Sequence, residues 1–261
     1  MEVSECERSR ALTVTFLGTG TSSGVPVIGC DCPVCRSDDP HNRRDRASIL
    51  IAWGGHNVVV DTGPEFRLQV LREKVQRLNA IMVTHEHADH VYGLDDVRFF
   101  TLHGGSIPLY ADQRTVDYIR GVFPYIFDGT HTPGTFRPSV VTHCVDGPFE
   151  LFGETVTPIP VMHGSLQILG FRVRDFAYVT DCSAMPPESE DLLRDVDTLV
   201  LGALRNRPHP THFSLNEAID AAKRIGPRMT YFTHIGHELD HEATNAILPD
   251  GFALAYDGLT I

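Results

Sequence analysis

The sequence lacks the features of membrane and secreted proteins. No apolar run in its 261 residues approaches the roughly 20 residues that a membrane span needs. The first ten residues, MEVSECERSR, contain no apolar stretch, so no signal peptide is expected. Basic residues are also few, since 22 Lys and Arg face 34 Asp and Glu and give a net charge of −12. This balance argues against a DNA binder or a binder of anionic membranes, because both need a basic surface.

The six cysteines do not have the spacing of a disulfide framework. Cys30, Cys32 and Cys35 lie close together, and a Cys-x-Cys pair is poorly placed to close on itself. Three thiolates at this spacing suit a tetrahedral structural zinc that needs one further ligand. The candidates for that ligand are, in order of preference, His237 and then Cys6 or His241. Clustered free thiols fit a reducing compartment, so a cytoplasmic location is expected.

Short β-rich runs alternate with helical runs along the chain. Strands come first in succession and later alternate with helices, which predicts two sheets with helices packed outside them. A helix is predicted over Glu65–Arg77, where apolar residues recur at helical spacing. We expect a tail over residues 1–11 and a single α/β domain over residues 12–261, with the zinc loop at about residues 29–37.

The strongest signal is the histidine motif His85-Glu86-His87-Ala88-Asp89-His90, which directly follows an apolar strand. Residues two apart in an extended segment project to one side, so His85 and His87 can bind one ion. Asp89 and His90 then project toward a second position. Imidazole and carboxylate ligands suit Zn, Mn or Fe and leave coordination positions open to water.

Four ligands cannot fill two metal sites, so further ligands are expected where other strands end. Three apolar runs each stop at one ligand-type residue, namely His163, Asp181 and His234. Asp61 follows a fourth apolar run, Val58–Val60, and is expected to orient a ligand histidine rather than to bind metal.

This arrangement resembles the metallo-β-lactamase fold, and the resemblance runs over nearly the whole chain. It implies an αββα four-layer sandwich with two divalent metals, Zn or Mn, at one edge of its sheets. It also implies a ligand assignment: His85, His87 and His163 on one metal, Asp89, His90 and His234 on the other, and Asp181 bridging both. The lactam-cleaving branch lacks such a bridging Asp, so the phosphodiesterase and thioesterase branches are more similar.

Three further features narrow the resemblance. The Gly-rich loop Gly18–Pro26, the Cys3His set and the run Thr233–His237 resemble the phosphoribosyl 1,2-cyclic phosphate phosphodiesterases of the carbon–phosphorus lyase pathway. That family also places a histidine in an Asn/Thr-His-x-x-Leu-Asn context, which Thr211–Asn216 matches. The resemblance implies a small cyclic phosphodiester substrate that is hydrolysed by metal-activated hydroxide. It makes His212 a general acid at the leaving oxygen, while Asp89 orients the nucleophile.

Three alternatives stay open. A ribonuclease Z-like endonuclease would share the ligands, but its long basic arm has no counterpart in the short acidic stretch between Asp181 and His212, so long RNA is not expected as a substrate. A glyoxalase II-type thioester hydrolase would not need the Cys trio, and it prefers basic residues near its C-terminus, whereas Leu248–Ile261 has none. A non-catalytic metal-binding protein of the same fold would not need an intact ligand set.

Several neighbouring residues are expected to have ordinary roles. Arg205 and Arg207 are expected to be solvated, with a phosphate contact as the alternative, and His209 is expected to be solvated because it lies between two prolines. The aromatic residues of segment 123–138 are expected to pack in the core, with a pocket for an apolar substrate group as the alternative. A homodimer is an expectation by analogy with the fold alone.

Overall fold

The structure is a computed structural model that describes residues 11–102, 105–128 and 136–261. These residues divide into two compact units. The first contains residues 11–17, most of Ser48–Val145, and Gly258–Ile261, and the second contains Gly18–Ala47 and Asp146–Asp257. The domain boundaries expected from the sequence stay a prediction. Cys6 and nearly all of the expected N-terminal tail lie outside the described residues.

The first unit is built on a mixed sheet whose described strands lie side by side in chain order. They are β1 (Thr13–Gly18), β2 (Ser48–Trp53), β3 (His56–Val60), β4 (Ala80–Met82), β5 (Ile107–Ala111) and β6 (Val140–Cys144). The hairpin expected from Gly54-Gly55 joins β2 to β3, and both glycines have the positive φ that such a tight turn requires. Strands β3 to β6 pair in parallel, so β3 and β4 end at the same edge of the sheet.

The helices of the first unit cover one apolar cluster. They are α1 (Phe66–Arg72), α2 (Ala88–Val91), α3 (Gln113–Val122) and α4 (Pro124–Phe127), with a 3-10 helix over Leu94–Phe100. Fully buried Phe66, Ile81 and Leu94 belong to this cluster. Helix α1 is shorter than the Glu65–Arg77 helix expected from periodicity. It ends because Lys74 has φ 54°, a left-handed conformation that a right-handed helix cannot contain.

The second unit is built on another mixed sheet, in the spatial order β13-β12-β11-β10-β9-β8-β7. Its strands are β7 (Phe149–Leu151), β8 (Glu154–His163), β9 (Leu166–Val173), β10 (Phe176–Val179), β11 (Thr198–Gly202), β12 (Met229–Thr233) and β13 (Phe252–Leu254). Strands β8 and β10 are both antiparallel to β9, and β10 to β13 are parallel. Therefore β8, β10, β11 and β12 all end at one edge.

The helices of this unit are α5 (Pro187–Leu192), α6 (Leu215–Ile225) and α7 (His241–Asn245), with a 3-10 turn at Pro40–Asn42. The capping box expected at Ser214 and Glu217 is present at the start of α6. The prediction of two sheets with helices is confirmed. None of the helices in the described residues is long and apolar enough to cross a membrane.

Candidate active site

The histidine motif begins where strand β4 ends and continues into helix α2. His85 and His90 are fully buried, whereas His87 is exposed. His85 Nε2 and His87 Nδ1 lie 3.1 Å apart. His90 Nε2 lies 3.2 Å from the Oδ2 atom of Asp89. The motif therefore presents two pairs of adjacent ligand atoms, one in the extended part and one in the helix.

Asp61 directly follows the neighbouring strand β3, and its carboxylate accepts hydrogen bonds from the buried side of the motif. Its Oδ1 accepts the backbone N–H of Thr84 at 2.8 Å, and its Oδ2 accepts the Thr84 hydroxyl at 2.9 Å. His90 Nδ1 donates to the same Oδ2 at 2.8 Å. His85 Nδ1 lies 2.9 Å from the Thr84 hydroxyl, whose proton already goes to Asp61, so this Nδ1 must donate as well.

This network fixes the tautomers of two candidate ligands. Because Nδ1 carries the proton in His85 and His90, the Nε2 atom of each ring is left with a lone pair for a metal. Burial raises the pKa of Asp61, while His90 and Thr84 act in the opposite direction by favouring its charged form. Asp61 lies where the orienting role expected from the sequence requires it. The hydrogen bonds that the Thr84 hydroxyl makes to Asp61 and His85 were not predicted from the sequence.

The second unit brings its candidate ligands to one sheet edge. His163 ends β8, Asp181 follows β10, and His234 follows β12. All three are buried, and His234 Nε2 lies 3.2 Å from Asp181 Oδ2. His163 Nδ1 donates to the backbone carbonyl of Thr211 at 2.7 Å, which leaves its Nε2 as the ligand atom.

Backbone strain marks the ends of these strands. Asp61, Asp181 and His234 have φ values of 66°, 54° and 56°, a left-handed region that residues other than glycine rarely adopt. Such conformations persist where the surrounding structure requires a particular side-chain position, and they concentrate at functional sites. All three of these residues were expected from the sequence to belong to the metal site, whereas Lys74, Phe152, Arg174 and Asp195 share the left-handed conformation without such an expectation.

His212 lies among the candidate ligands of the second unit. Its ring stacks on that of His234, with centroids 4.7 Å apart, and lies 4.6 Å from the ring of His163. Its Nδ1 is 3.9 Å from Asp181 Oδ2. Burial and the nearby His234 lower the pKa of His212 to about 3, so its imidazole is neutral at pH 7 in the protein alone.

The three clustered thiols meet the fourth ligand that the sequence analysis preferred. His237 Nδ1 lies 3.2, 3.5 and 3.4 Å from the Sγ atoms of Cys30, Cys32 and Cys35. In a tetrahedral zinc site with ordinary bond lengths, a sulfur and a nitrogen ligand are about 3.5 Å apart. The ring of the alternative ligand His241 instead packs against His41 in a tilted arrangement and against Tyr256 edge to face.

A buried arginine supports the segment that carries His237, and nothing in the sequence indicated it. Arg44 is 2% exposed and donates to the carbonyl oxygens of Gly236 and Leu239, at 3.1 and 2.8 Å. Its burial lowers the pKa of the guanidinium to about 10, which still leaves it charged at neutral pH. Arg44 therefore fixes the backbone on both sides of His237.

The chemistry of these donor sets fits divalent metals. Within each unit the paired ligand atoms lie 3.1 to 3.2 Å apart, close to the separation of two ligands that share one ion. The donors are imidazole nitrogens and carboxylate oxygens, which suit Zn or Mn, whereas the Cys3His set suits zinc. The ligand atoms of the Cys3His set all lie within 4.8 Å of one another.

His209 is not simply solvated, contrary to the expectation from its flanking prolines. Its Nδ1 is within hydrogen-bond distance of both the N–H and the hydroxyl of Thr211, at 3.3 and 3.2 Å. Its ring lies 5.1 Å from that of His212, and both line one cavity with Arg205. Arg207 instead pairs with Glu238 at 2.7 Å and is 73% exposed.

Comparison with known proteins places this site in a family. The family model described as β-lactamase superfamily domain matches residues 56–235, a range that includes both the histidine motif and His234. The chain belongs to the β-lactamase superfamily. The predicted metallo-β-lactamase fold, an α/β architecture, is thereby confirmed, and the chain is a hydrolase of that fold.

Three relatives in the superfamily are informative. A crystal structure of a new diphosphatase from the PhnP family is 46% identical, with a TM-score of 0.90 over 96% of this chain and 97% of that one. A protein named octanoyltransferase from Porphyromonas gingivalis (strain ATCC BAA-308 / W83) is 39% identical over 94% of this chain. The chain spans 50% of that relative's length. A ribonuclease Z from Mycobacterium sp. (strain KMS) is 28% identical over 85% of this chain and 89% of its own length.

Proposed function

We propose that this protein is a metal-dependent phosphodiesterase that hydrolyses a small phosphodiester. The observation that carries the proposal is the joint presence of the Asp and His side chains of the expected ligand set and of a partly buried His212, whose Nδ1 lies 3.9 Å from Asp181 Oδ2 and to which we assign a role other than metal binding. The 46% identity to a protein whose structure is described as a diphosphatase from the PhnP family supports it. A small cyclic phosphodiester, as expected from the sequence motifs, is the first substrate class to test.

We assign the metals as the sequence resemblance implies. His85, His87 and His163 would hold one divalent metal, and Asp89, His90 and His234 the other, with Asp181 shared by both. When bound, such metals supply Lewis acidity and lower the pKa of water toward neutrality. The protein's part is to fix the ligands, which Asp61 does for His90 directly and for His85 through the Thr84 hydroxyl, and which Thr211 does for His163.

His212 acts at the leaving oxygen in this proposal. In the protein alone its imidazole is neutral, because burial and His234 disfavour the cation. An anionic phosphodiester bound beside it favours the protonated form, so the substrate itself raises the pKa of the group that must donate. The proton then passes to the leaving oxygen as the phosphorus–oxygen bond breaks and the electron pair stays on that oxygen.

A ribonuclease Z activity is the second candidate, since a ribonuclease Z matches most of the chain at 28% identity. The stretch between Asp181 and His212 carries five acids, which is unfavourable for a phosphate backbone: Glu188, Glu190, Asp191, Asp195 and Asp197. The small-substrate activity is therefore preferred.

A substrate panel tests the proposal. The metal-loaded protein is assayed with a cyclic ribose phosphate, a 2′,3′-cyclic nucleotide, an aryl phosphodiester, a precursor tRNA and a thioester. We expect turnover of the small phosphodiesters, and we expect His212→Ala to lower kcat about 10²- to 10⁴-fold on substrates with a sugar leaving group while it keeps its metals. Cleavage of the tRNA or of the thioester alone would assign the other candidate activities instead.

A further inference from the structure

Thr211 lies between His209 and His212 in the chain and contacts two histidines of the second unit. Its backbone carbonyl accepts from Nδ1 of His163 at 2.7 Å. Its backbone N–H donates to Nδ1 of His209 at 3.3 Å, and its hydroxyl lies 3.2 Å from the same nitrogen. Thr211 therefore links His209 to a candidate metal ligand, and it is joined covalently to His212.

The segment that carries these residues has little support from its own backbone. Residues 206–212 lie outside the helices and strands, and no backbone-to-backbone hydrogen bond joins them to another described residue. Such a segment must be held by side chains or by water. Arg205 donates to two backbone carbonyls in its first half, at 3.2 and 3.0 Å. The contact of His209 with Thr211 is the corresponding support for the half that leads to His212.

The contact between His209 and Thr211 fixes the tautomer of His209. The side chain of His209 is partly buried, whereas the prolines on either side of it are exposed. Because a backbone N–H can only donate, Nδ1 of His209 must accept, and the ring proton lies on Nε2. Burial and the charge of Arg205 lower the pKa of His209, which favours this neutral form at pH 7. Pro210 has a fixed φ, which limits the positions that Thr211 can take relative to His209.

His209 also packs against His212 directly. Their ring centroids are 5.1 Å apart. The ring of His212 lies 4.6 Å from that of His163 and 4.7 Å from that of His234. Among the described residues, Nδ1 of His212 has no hydrogen-bond partner, so the packing of these rings sets its orientation.

We propose that His209 is a positioning residue of the active site, which acts through Thr211 on both His163 and His212. The inference deepens and rests on the proposed phosphodiesterase function, in which His212 gives its proton to the leaving oxygen. A general acid must lie within hydrogen-bond distance of the atom that it protonates, so a small displacement of His212 lowers the rate. His163 in turn binds metal through Nε2 only while the Thr211 carbonyl keeps the ring proton on Nδ1.

Two amide variants separate the acceptor atom from the size of the side chain. In His209→Asn the amide oxygen lies as many bonds from the backbone as Nδ1 does, so it can accept from Thr211. In His209→Gln the amide lies one bond further out, near the position of Nε2. Metal affinity is measured by chelator competition for wild type, these two variants and His209→Ala, and urea unfolding shows whether each variant folds.

We expect His209→Ala and His209→Gln to weaken metal binding about three- to tenfold, less than the loss of a direct partner of a ligand would, and His209→Asn to stay close to wild type. Equal losses in His209→Asn and His209→Gln, or an unchanged affinity in His209→Ala, would overturn the action through Thr211.

The leaving group reports the effect on His212. The metal-saturated proteins are assayed with a cyclic ribose phosphate, whose sugar oxygen needs a proton, and with a nitrophenyl phosphodiester, whose phenolate leaves without one. We expect His209→Ala to lower kcat about tenfold on the first substrate and less than about twofold on the second. In a His212→Ala background the same substitution should lower kcat on the sugar substrate no further.

Equal losses of kcat on both substrates, or additive losses in the double variant, would show that His209 does not act on His212. A wild type that hydrolyses neither diester would remove the proposed function instead. The metal affinities would then still test whether His209 positions His163.

Discussion

His90 Nδ1 lies 2.8 Å from Asp61 Oδ2, and neither side chain has any solvent exposure. The same carboxylate accepts the hydroxyl of Thr84, which in turn accepts from His85. One buried acid therefore sets the tautomers of two candidate metal ligands. It does so from the end of strand β3, which is parallel and adjacent to the strand that leads into the motif.

Replacing this acid tests its orienting role. Asp61→Asn keeps the shape but removes the charge and replaces one acceptor oxygen by an NH2 donor. It can therefore no longer accept from the Thr84 N–H on one side and from His90 and the Thr84 hydroxyl on the other. We expect metal affinity to fall about 10- to 100-fold while the chain still folds. Metal titration with a competing chelator measures this, and circular dichroism reports the fold. Unchanged affinity would show that Asp61 has no orienting role.

A substitution at Gly164 tests whether metal binding depends on the hydrogen bond between His163 and Thr211. Its φ is 63°, and an added Cβ would lie 2.9 Å from Cγ2 of Thr211, the residue whose carbonyl accepts from His163. Gly164→Ala should displace Thr211 and weaken metal binding. Gly153, at φ 80° with nothing within 4 Å of an added Cβ, is the matched control.

Both alanine variants should lose about 1–2 kcal/mol of unfolding free energy from the left-handed backbone conformation. Metal affinity, measured beside urea unfolding, should fall for Gly164→Ala alone. An equal fall in affinity for both variants would mean that strain, rather than the contact with Thr211, is responsible.

The Cys3His set predicts one tightly held zinc that is separate from the active site. His237→Ala removes the nitrogen that lies within 3.5 Å of all three sulfurs. We expect zinc content to fall by about one equivalent and Tm to drop by several degrees, because a structural zinc contributes to folding. Elemental analysis after dialysis measures the zinc. The control is His241→Gln, which removes the alternative ligand and should keep its zinc. Zinc loss by His241→Gln but not by His237→Ala would show that His241 is the fourth ligand.

Acidification should destabilise the protein partly through His241. Burial, and the charges of His41 and Arg44, lower the pKa of His241 in the folded chain to about 4, against 6.5 when it is exposed. Between these pH values the unfolded chain binds the extra proton, so the unfolding free energy decreases as the pH falls from 6.5 toward 4.

The titration of His241 should change the unfolding free energy by about 1–2 kcal/mol, because solvent screens the charge of a half-exposed ring. Urea unfolding of wild type and His241→Gln at pH 7 and pH 5 measures it. Zinc loss at low pH affects both proteins, so the difference between them isolates the histidine. Parallel losses of stability in the two proteins would contradict the prediction.

Much of the ligand set could be predicted from the sequence because its signals are local. An apolar strand that stops at His163 or Asp181 shows both the strand and its polar end within a few residues. The Gly54-Gly55 turn and the Ser214 capping box are likewise encoded over short stretches. Parallel pairing then brings such strand ends to one edge.

The supporting contacts depend on residues far apart in the chain, and local patterns do not encode them. Arg44 donates hydrogen bonds to backbone carbonyls on both sides of residue 237. No periodicity in the sequence indicates that an arginine in a loop will be buried. His209 was expected to be solvated because it lies between two prolines, and this local context does not encode the cavity that it shares with Arg205. The apolar periodicity likewise predicted a helix that continues past Lys74, but helix α1 ends before it because Lys74 has a left-handed conformation.

Removal and return of metal test whether this protein is a metal-dependent phosphodiesterase. The purified protein is stripped with a chelator and reloaded with Zn or Mn, and hydrolysis of a small cyclic phosphodiester is followed together with metal content. We expect stripping to reduce turnover to background, either metal to restore it, and the fully active protein to hold three metals per chain. Full turnover by the stripped protein would show that the hydrolysis does not depend on metal, and a fully loaded protein that hydrolyses no phosphodiester would rule out the proposed activity.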